Sequence, residues 1–459
     1  MVGWLFRLWD ERVPAESDLC CYWFEKSRAQ IEKGLCDRAG LLATQGIRGG
    51  ANREVLDRIK QSGDIFFAES DRDWVLDGAT VHVSMVGFDD GQESFRVLDG
   101  LKGVEEIFPN LTASVNVTKA RTIPENAGIS FMGDTKGAKF EALLSEIGWM
   151  LSEPNPNGLP NSDVIRPWLN AESLTRAYKD MLIVDFGAYS SEPEASLYEA
   201  PFSFVEENVK AKRLQNRREL YRTYWWRHVE PRPGMRRALL SLPRFLATPI
   251  VSKFRLFAWL APEILADHAL IVFARADDYY FGVLHSRLHE VWALSQGTQV
   301  RERESGFRYI PTKTFETFPF PHPSSDQEVS IAAAAKELDD LRNRWLNPPE
   351  WTREEILEFP GSVNGPWTRY VHDPDERGIG TVRYPRLVPK DEEAAEKLKT
   401  RTLTNLYNQR PAWLDLAHRK LDEVVFAAYG WDPGISDEEI LERLLALNLE
   451  RAGAEETAS

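Results

Sequence analysis

Cysteine is scarce: the 459-residue chain holds three, Cys20, Cys21 and Cys36. Their spacing fits no metal motif and offers no disulfide framework, so reduced, buried thiols of a cytosolic protein are expected. Long hydrophobic runs are also lacking. No stretch reaches the roughly 18 apolar residues of a membrane-crossing helix. Arg7, Asp10, Glu11 and Arg12 interrupt the start, so no secretory signal is expected. Internal repeats are absent. Metal-ligand clusters are nearly so: His285 and His289, followed by Glu290, have the i, i+4 spacing of a zinc helix, but no third ligand accompanies them. The expected role of that helix is packing, or placing His285 on a phosphate.

Positive charge is in deficit overall, 56 Lys and Arg against 71 Asp and Glu for a net −15, which argues superficially against nucleic acid. Its distribution reverses that argument. Between Asn208 and Arg255 thirteen Lys and Arg face only Glu219 and Glu230, a local +11. Phosphates respond to a local basic face rather than to the global sum. Tyr221, Tyr224, Trp225 and Trp226 interleave with these cations, which predicts a DNA-facing surface; a solvated basic helix is the plainer alternative.

Near the start, Ala39–Arg53 runs from a short apolar stretch into a glycine-rich turn carrying Arg48 and Arg53. Val55, Leu56 and Ile59 then repeat at helical spacing. A strand opening through glycines into a helix lies where open α/β sheets bind ligands. Upstream stands Asp18-Leu-Cys-Cys-Tyr-Trp-Phe-Glu25, and downstream Gly63–Ser70 and Ala79–Phe88 read as strands.

In this order the segments resemble the second half of the catalytic domain of MmeI-like (type IIG-like) adenine-specific DNA methyltransferases, fused restriction–methylation enzymes with relatives in phage defence. Asp18–Glu25 resembles a motif that borders the cofactor adenine. The resemblance extends through Asn155-Pro-Asn-Gly158, Asp163–Trp168, Ile183–Gly187, Asp277–Glu290, Arg308–Pro321, Leu406–Trp413 and Ala427–Trp431. It implies an α/β fold: a partial Rossmann-like class I methyltransferase sheet (1–110), an α+β target-recognition domain (111–323) and a mainly helical C-terminal domain (324–459).

Two family signatures are missing upstream of Asp18: the glycine-rich S-adenosylmethionine loop and the Asn/Asp-Pro-Pro-aromatic tetrapeptide that engages a flipped base. Residues 1–9 read instead as a helix the family places after the tetrapeptide. Asn347-Pro348-Pro349-Glu350 is a decoy, because Glu350 has no ring to stack and the prolines serve to stop a charged helix. The chain is therefore expected to be the distal portion of a site-specific adenine methyltransferase, inactive alone, with the proximal half supplied by a separate chain or by upstream sequence. The alternatives are a non-catalytic DNA-recognition protein and a truncated remnant.

The resemblance implies S-adenosylmethionine as cofactor, with Asp18, Tyr22 and Phe24 on its border, and double-stranded DNA as partner. DNA contacts are expected from Arg48, Arg53, Lys253, Arg255, Arg287, Arg308 and Lys313, Arg being the commonest reader of guanine and Lys a phosphate contact. Arg275, Arg301 and Arg303 are further candidates, each weighed against a surface salt bridge. Phe315, Phe318 and Phe320 are expected to be packing anchors. No catalytic or metal-binding residue is expected.

Overall fold

The computed structural model describes residues 9, 12–76, 79–113, 115–176, 179–299 and 306–456. The helix expected at 1–9, apart from Trp9, and Arg301 and Arg303 lie outside the described residues. Among the described residues no helix is long and apolar enough to cross a membrane. The architecture is mixed α/β, with five sheets and many helices.

The first unit is built around α1 (Leu19–Glu32), β1 (Arg38–Thr44), α2 (Glu54–Ser62), β2 (Asp64–Leu76), β3 (Ala79–Asp89), β4 (Arg96–Leu98) and β5 (Leu101–Val104). Two 3-10 turns occupy the glycine-rich segment between β1 and α2. Val55, Leu56 and Ile59 are buried as their spacing predicts, each burial worth about 1.5–3 kcal/mol. At Gly63 the chain passes so close to β3 that a Cβ would lie 2.0 Å from the Asp89 carbonyl oxygen. The sheet order is β1-β3-β2-β4-β5. β3 runs antiparallel to both β1 and β2, so those two are mutually parallel, joined through α2.

Alternation divides this sheet into two unlike faces. Ala43, Ile65, Ala68, Val86 and Phe88 pack with Tyr22, Phe24 and Ile31 of α1 and with α2. The opposite face carries Gly40, Leu42, Met85, Gly87 and the bulged Phe66–Phe67 pair, and forms an open groove of about 420 Å³. Among the described residues β1 has a neighbour on one side only.

The remainder is organised around two further cores that share a sheet. Strands Phe245–Pro249 and Leu270–Phe273 lie at its centre, flanked by Ala258–Leu260 and Ser130–Met132. Leu246, Ile271 and Phe273 face a helical core formed by Asp278–His285, Arg287–Gln296, Ser325–Leu346, Ala412–Tyr429 and Asp437–Glu456. Phe245, Ala247, Leu270 and Val272 face the other core, which includes Phe140, Ile165, Ile183, Trp225 and Trp226. The last helix continues to Glu456, well into the segment 452–459 whose composition suggests a frayed tail.

The segment 141–152 is a short strand (Glu141–Leu143), one helical turn and a 3-10 segment. The C-terminal part 324–459, expected to be mainly helical, also contains a long antiparallel hairpin of Thr352–Ser362 and Ile379–Pro389, with Pro360 and Pro385 inside its strands. Its Phe359, Trp367 and Val382 enter the second core.

Candidate nucleic-acid interface

The glycine-rich segment places its two arginines at two different clefts. Arg48 opens on a cleft of about 690 Å³ between the first unit and the helical core, with Gln45, Asp71, His82, Asn110 and Phe307 on its walls. Its guanidinium lies 3.7 Å from Asp71, and burial lowers its pKa. His82 Nδ1 is 2.8 Å from the same carboxylate. The long β2–β3 hairpin carries both Asp71 and His82, which the sequence reading did not single out; their positions on facing strands are the missed signal.

Arg53 opens on a second, charged cleft of about 780 Å³, lined also by Glu54, Asp57, Arg58, Lys60 and Lys119. Its side chain is largely buried, 3.7 Å from Asp57, and its Nε has no hydrogen-bond acceptor. Lys313 stands alongside: burial, then the neighbouring Arg53, lowers its pKa. Burial raises Asp57 despite these cations. Two residues 260 positions apart in sequence, Arg53 and Lys313, thus share one site.

Other expected contacts go elsewhere. Arg255 is occupied inside the fold: its guanidinium donates to Thr248 Oγ1 (3.1 Å) and to the carbonyls of Pro249 and Phe307 (2.9 Å), and lies over Tyr309. Burial pulls its pKa down to about 10. Arg287 donates to Asp437 (2.6 Å) and to the carbonyls of Ile435 and Pro433, fastening the start of the last helix. Both guanidiniums are thus engaged by acceptors of the fold. Lys253 is exposed but donates to Asn408 Oδ1 at 2.8 Å. Arg308 is exposed, on a strand paired with Val251, and has no ion-pair partner among the described residues.

The cofactor-border residues are also held by the fold. Phe24 stacks on Phe88 at 6.0 Å, Tyr22 meets Trp9 edge-on at 5.7 Å, and both are buried. The Asp18 carboxylate accepts from Asn52 Nδ2 at 2.9 Å while its backbone N–H donates to Asn52 Oδ1. With rings and carboxylate so engaged, the described residues do not form a pocket that fits S-adenosylmethionine. The overlooked residue of α1 is Glu25, which is fully buried and bound by Arg28 (2.8 Å) and Arg58 (3.2 Å). Burial works against its charge, but those hydrogen bonds prevail and its pKa is lowered.

Several motif blocks meet in one buried charge network. His228 Nδ1 lies 2.7 Å from Asp134 and Nε2 lies 3.0 Å from the Val184 carbonyl. Both neighbours are acceptors, so both ring nitrogens carry hydrogen. Burial opposes this charge, yet Asp134 overcomes it and the His228 pKa is raised. Arg236 bridges Asp134 and Asp185, and Arg166 donates to the carbonyls of Glu263 and Pro262. These contacts tie the segment at Asp134, Asp185 after the strand Met181–Val184, and the helix Pro233–Leu239 together.

His285 and His289 are equally internal. Arg342 donates to His285 Nε2 at 2.9 Å, and His285 Nδ1 faces the Phe281 carbonyl at 3.2 Å. His289 Nδ1 faces the Leu284 carbonyl at 2.9 Å and its Nε2 lies 3.0 Å from the Tyr309 hydroxyl. No group able to hold a metal exists among the described residues. Asn347 caps its helix, as the helix-stop reading of Asn347-Pro-Pro-Glu requires, and Phe315, Phe318 and Phe320 are core residues.

No protein-family model matches the chain. Its fold belongs with that of a restriction–modification enzyme bound to DNA. That enzyme is MmeI, of Type IIL: the TM-score is 0.66 at 17% sequence identity, covering 96% of this chain and 53% of that one. DNA methyltransferase A of Bacillus subtilis (strain 168) is 26% identical over 187 residues, 40% of this chain and 15% of that protein. The chain therefore spans about half of the MmeI chain and less of the bacillary protein. Both likenesses support the resemblance to MmeI-like methyltransferases.

Proposed function

We propose that the chain is the distal portion of a site-specific adenine DNA methyltransferase. It supplies target recognition and part of the catalytic sheet, while a polypeptide bearing the cofactor loop and the Asn-Pro-Pro-aromatic tetrapeptide completes the site. The observation that carries this reading is the incomplete first sheet. β1 and β2 are parallel and joined through a helix, with the antiparallel β3 between them. One face of this sheet is bare, the β1 edge is open among the described residues, and Leu42 on that face is 45% exposed. A methyltransferase half would cover this surface. The DNA-binding reading rests on Arg48 and Arg53 at the two clefts, with Lys313 near Arg53 and with Arg308 and Lys253 exposed.

S-adenosylmethionine would supply the methyl group to the adenine exocyclic amine. The residues of this chain would hold duplex DNA against the completed site. The test is transfer of labelled methyl from S-adenosylmethionine to mixed-sequence duplex, with the chain alone and with a polypeptide carrying the two missing motifs. Transfer in the mixture alone is expected. Salt-sensitive DNA binding without transfer in either case would favour the second reading, a non-catalytic recognition protein of a restriction–modification or phage-defence system.

A further inference from the structure

The basic segment 208–255 divides by the fate of its cations. Arg213 is buried and donates to the carbonyls of Lys136 (2.6 Å) and Arg227 (2.9 Å). Arg227 donates to the carbonyls of Ser190 and Ala188, and Arg244 to that of Ala276 and to Asp278. Arg236 and Arg255 are internal, as described above. These cations satisfy backbone and carboxylate acceptors and offer little to a ligand.

A different group remains at the turn between the short helices Ala211–Leu214 and Glu219–Thr223. Lys212, Arg217 and Arg218 are exposed there and Arg222 is half-buried. Among the described residues none of the four has a carboxylate within ion-pair distance. The turn is nevertheless built: Arg222 Nη1 donates to the carbonyls of Asn216 (2.8 Å) and Arg217 (3.1 Å), and the Arg218 N–H donates to Asn216 Oδ1 at 3.0 Å. The Arg218 guanidinium donates to the Tyr221 hydroxyl at 2.7 Å. Below it, buried Arg213, Trp225 and Trp226 anchor the turn to the second core.

We infer that this turn is a backbone clamp for duplex DNA, with Lys212, Arg217 and Arg218 on successive phosphates and Arg222 holding the turn in shape. The inference rests on the DNA-binding reading above and adds a surface to it. Charge complementarity argues for a polyanion: the rest of the chain is strongly acidic, and at physiological salt a patch acts only over a screening length of about 8 Å. Planar guanidinium forks suit phosphate oxygens. The contact carries no base information, so it strengthens binding equally on every sequence.

The experiment is fluorescence anisotropy of the full chain with duplex DNA across a salt series. The combined K212Q/R217Q/R218Q variant is compared with wild type and with R383Q, which removes an exposed arginine that pairs with Glu358 on the hairpin 352–389. The slope of log affinity against log salt should fall by about 2–3 in the triple variant, near 0.9 per lost phosphate contact. The loss should be the same on unrelated sequences, and R383Q should leave the slope unchanged. An unaltered slope in the triple variant, with wild type still binding, overturns the clamp and spares the DNA reading. Wild type failing to bind duplex even at low salt overturns both. Stronger binding to single-stranded RNA, lost in the same variant, would assign the turn to RNA instead.

Discussion

Arg255 and Arg308 lie side by side and have opposite fates. Arg255 donates to the carbonyl of Phe307, one residue before Arg308, and is enclosed, whereas Arg308 points into solvent. Arg255→Ala leaves buried acceptors without a donor and should destabilise the chain by about 2–3 kcal/mol. Arg308→Ala should stay within about 0.5 kcal/mol of wild type and weaken DNA binding. Denaturant titration paired with anisotropy separates the two, and equal stability losses would remove the distinction. The number of arginines and their clustering were legible in the sequence. Their destinations were not, because a carbonyl awaiting a donor leaves no mark on composition. Glu25 illustrates the same limit: Arg28 lies three residues on along α1, but only the fold brings Arg58 to it and buries the group. Glu25→Gln removes the charge that Arg28 and Arg58 share but leaves Arg28 bonded to Glu32 and Ser62, so it should cost about 1–3 kcal/mol, read as a lowered denaturation midpoint.

At the level of elements, legibility followed local pattern. β1, the glycine turns and α2 could be read because apolar spacing, φ-permissive residues and helix periodicity agree over a short span. The hairpin 352–389 could not: its strands alternate charged residues such as Arg353, Glu355, Glu358 and Arg383 with prolines, a composition typical of linkers. Its order comes from tertiary partners instead, Trp367 Nε1 donating to the Ile165 carbonyl at 2.8 Å and Ser162 Oγ to that of Pro360 at 2.7 Å. The open edge of β1 carries a prediction of its own. An uncovered apolar face beside an unpaired strand promotes self-association. The isolated chain should therefore sediment with concentration-dependent mass, and Leu42→Lys with Met85→Lys should restore a monomer without lowering the melting temperature of the other two cores. A wild-type chain monomeric at every concentration would show that this face needs no cover.

The whole molecule couples these parts unequally. Leu246 and Ala247, adjacent in one strand, belong to different cores, so the second and third bodies are bound to unfold together. Their titrating groups then act on one transition. His289 and His418 are buried neutral, with pKa values pulled down to about 3 by burial. The unfolded imidazole takes a proton near 6.5, so the stability they contribute declines as pH falls from about 6.5 towards 3. Asp422 partly offsets this, because burial raises its pKa to about 6; its folded state holds a proton that the unfolded state releases above about 3.9. His228 acts on the opposite side: its raised pKa means that its contribution is complete below about 6.5 and fades as pH climbs through the folded value. His285, held neutral by the same burial, adds to the acid-sensitive side, and Glu290, Asp339 and Asp163, raised by burial, add to the side of Asp422. The deeply depressed histidines prevail, so the shared transition should be most stable near neutrality and lose ground by pH 5. The loss should be smaller in His418→Gln, which removes one of the acid-sensitive groups. Thermal melts at fixed ionic strength from pH 4.5 to 9 read this directly. A midpoint that rises steadily towards pH 4.5 would mean that His289 and His418 are not held neutral inside the helical core.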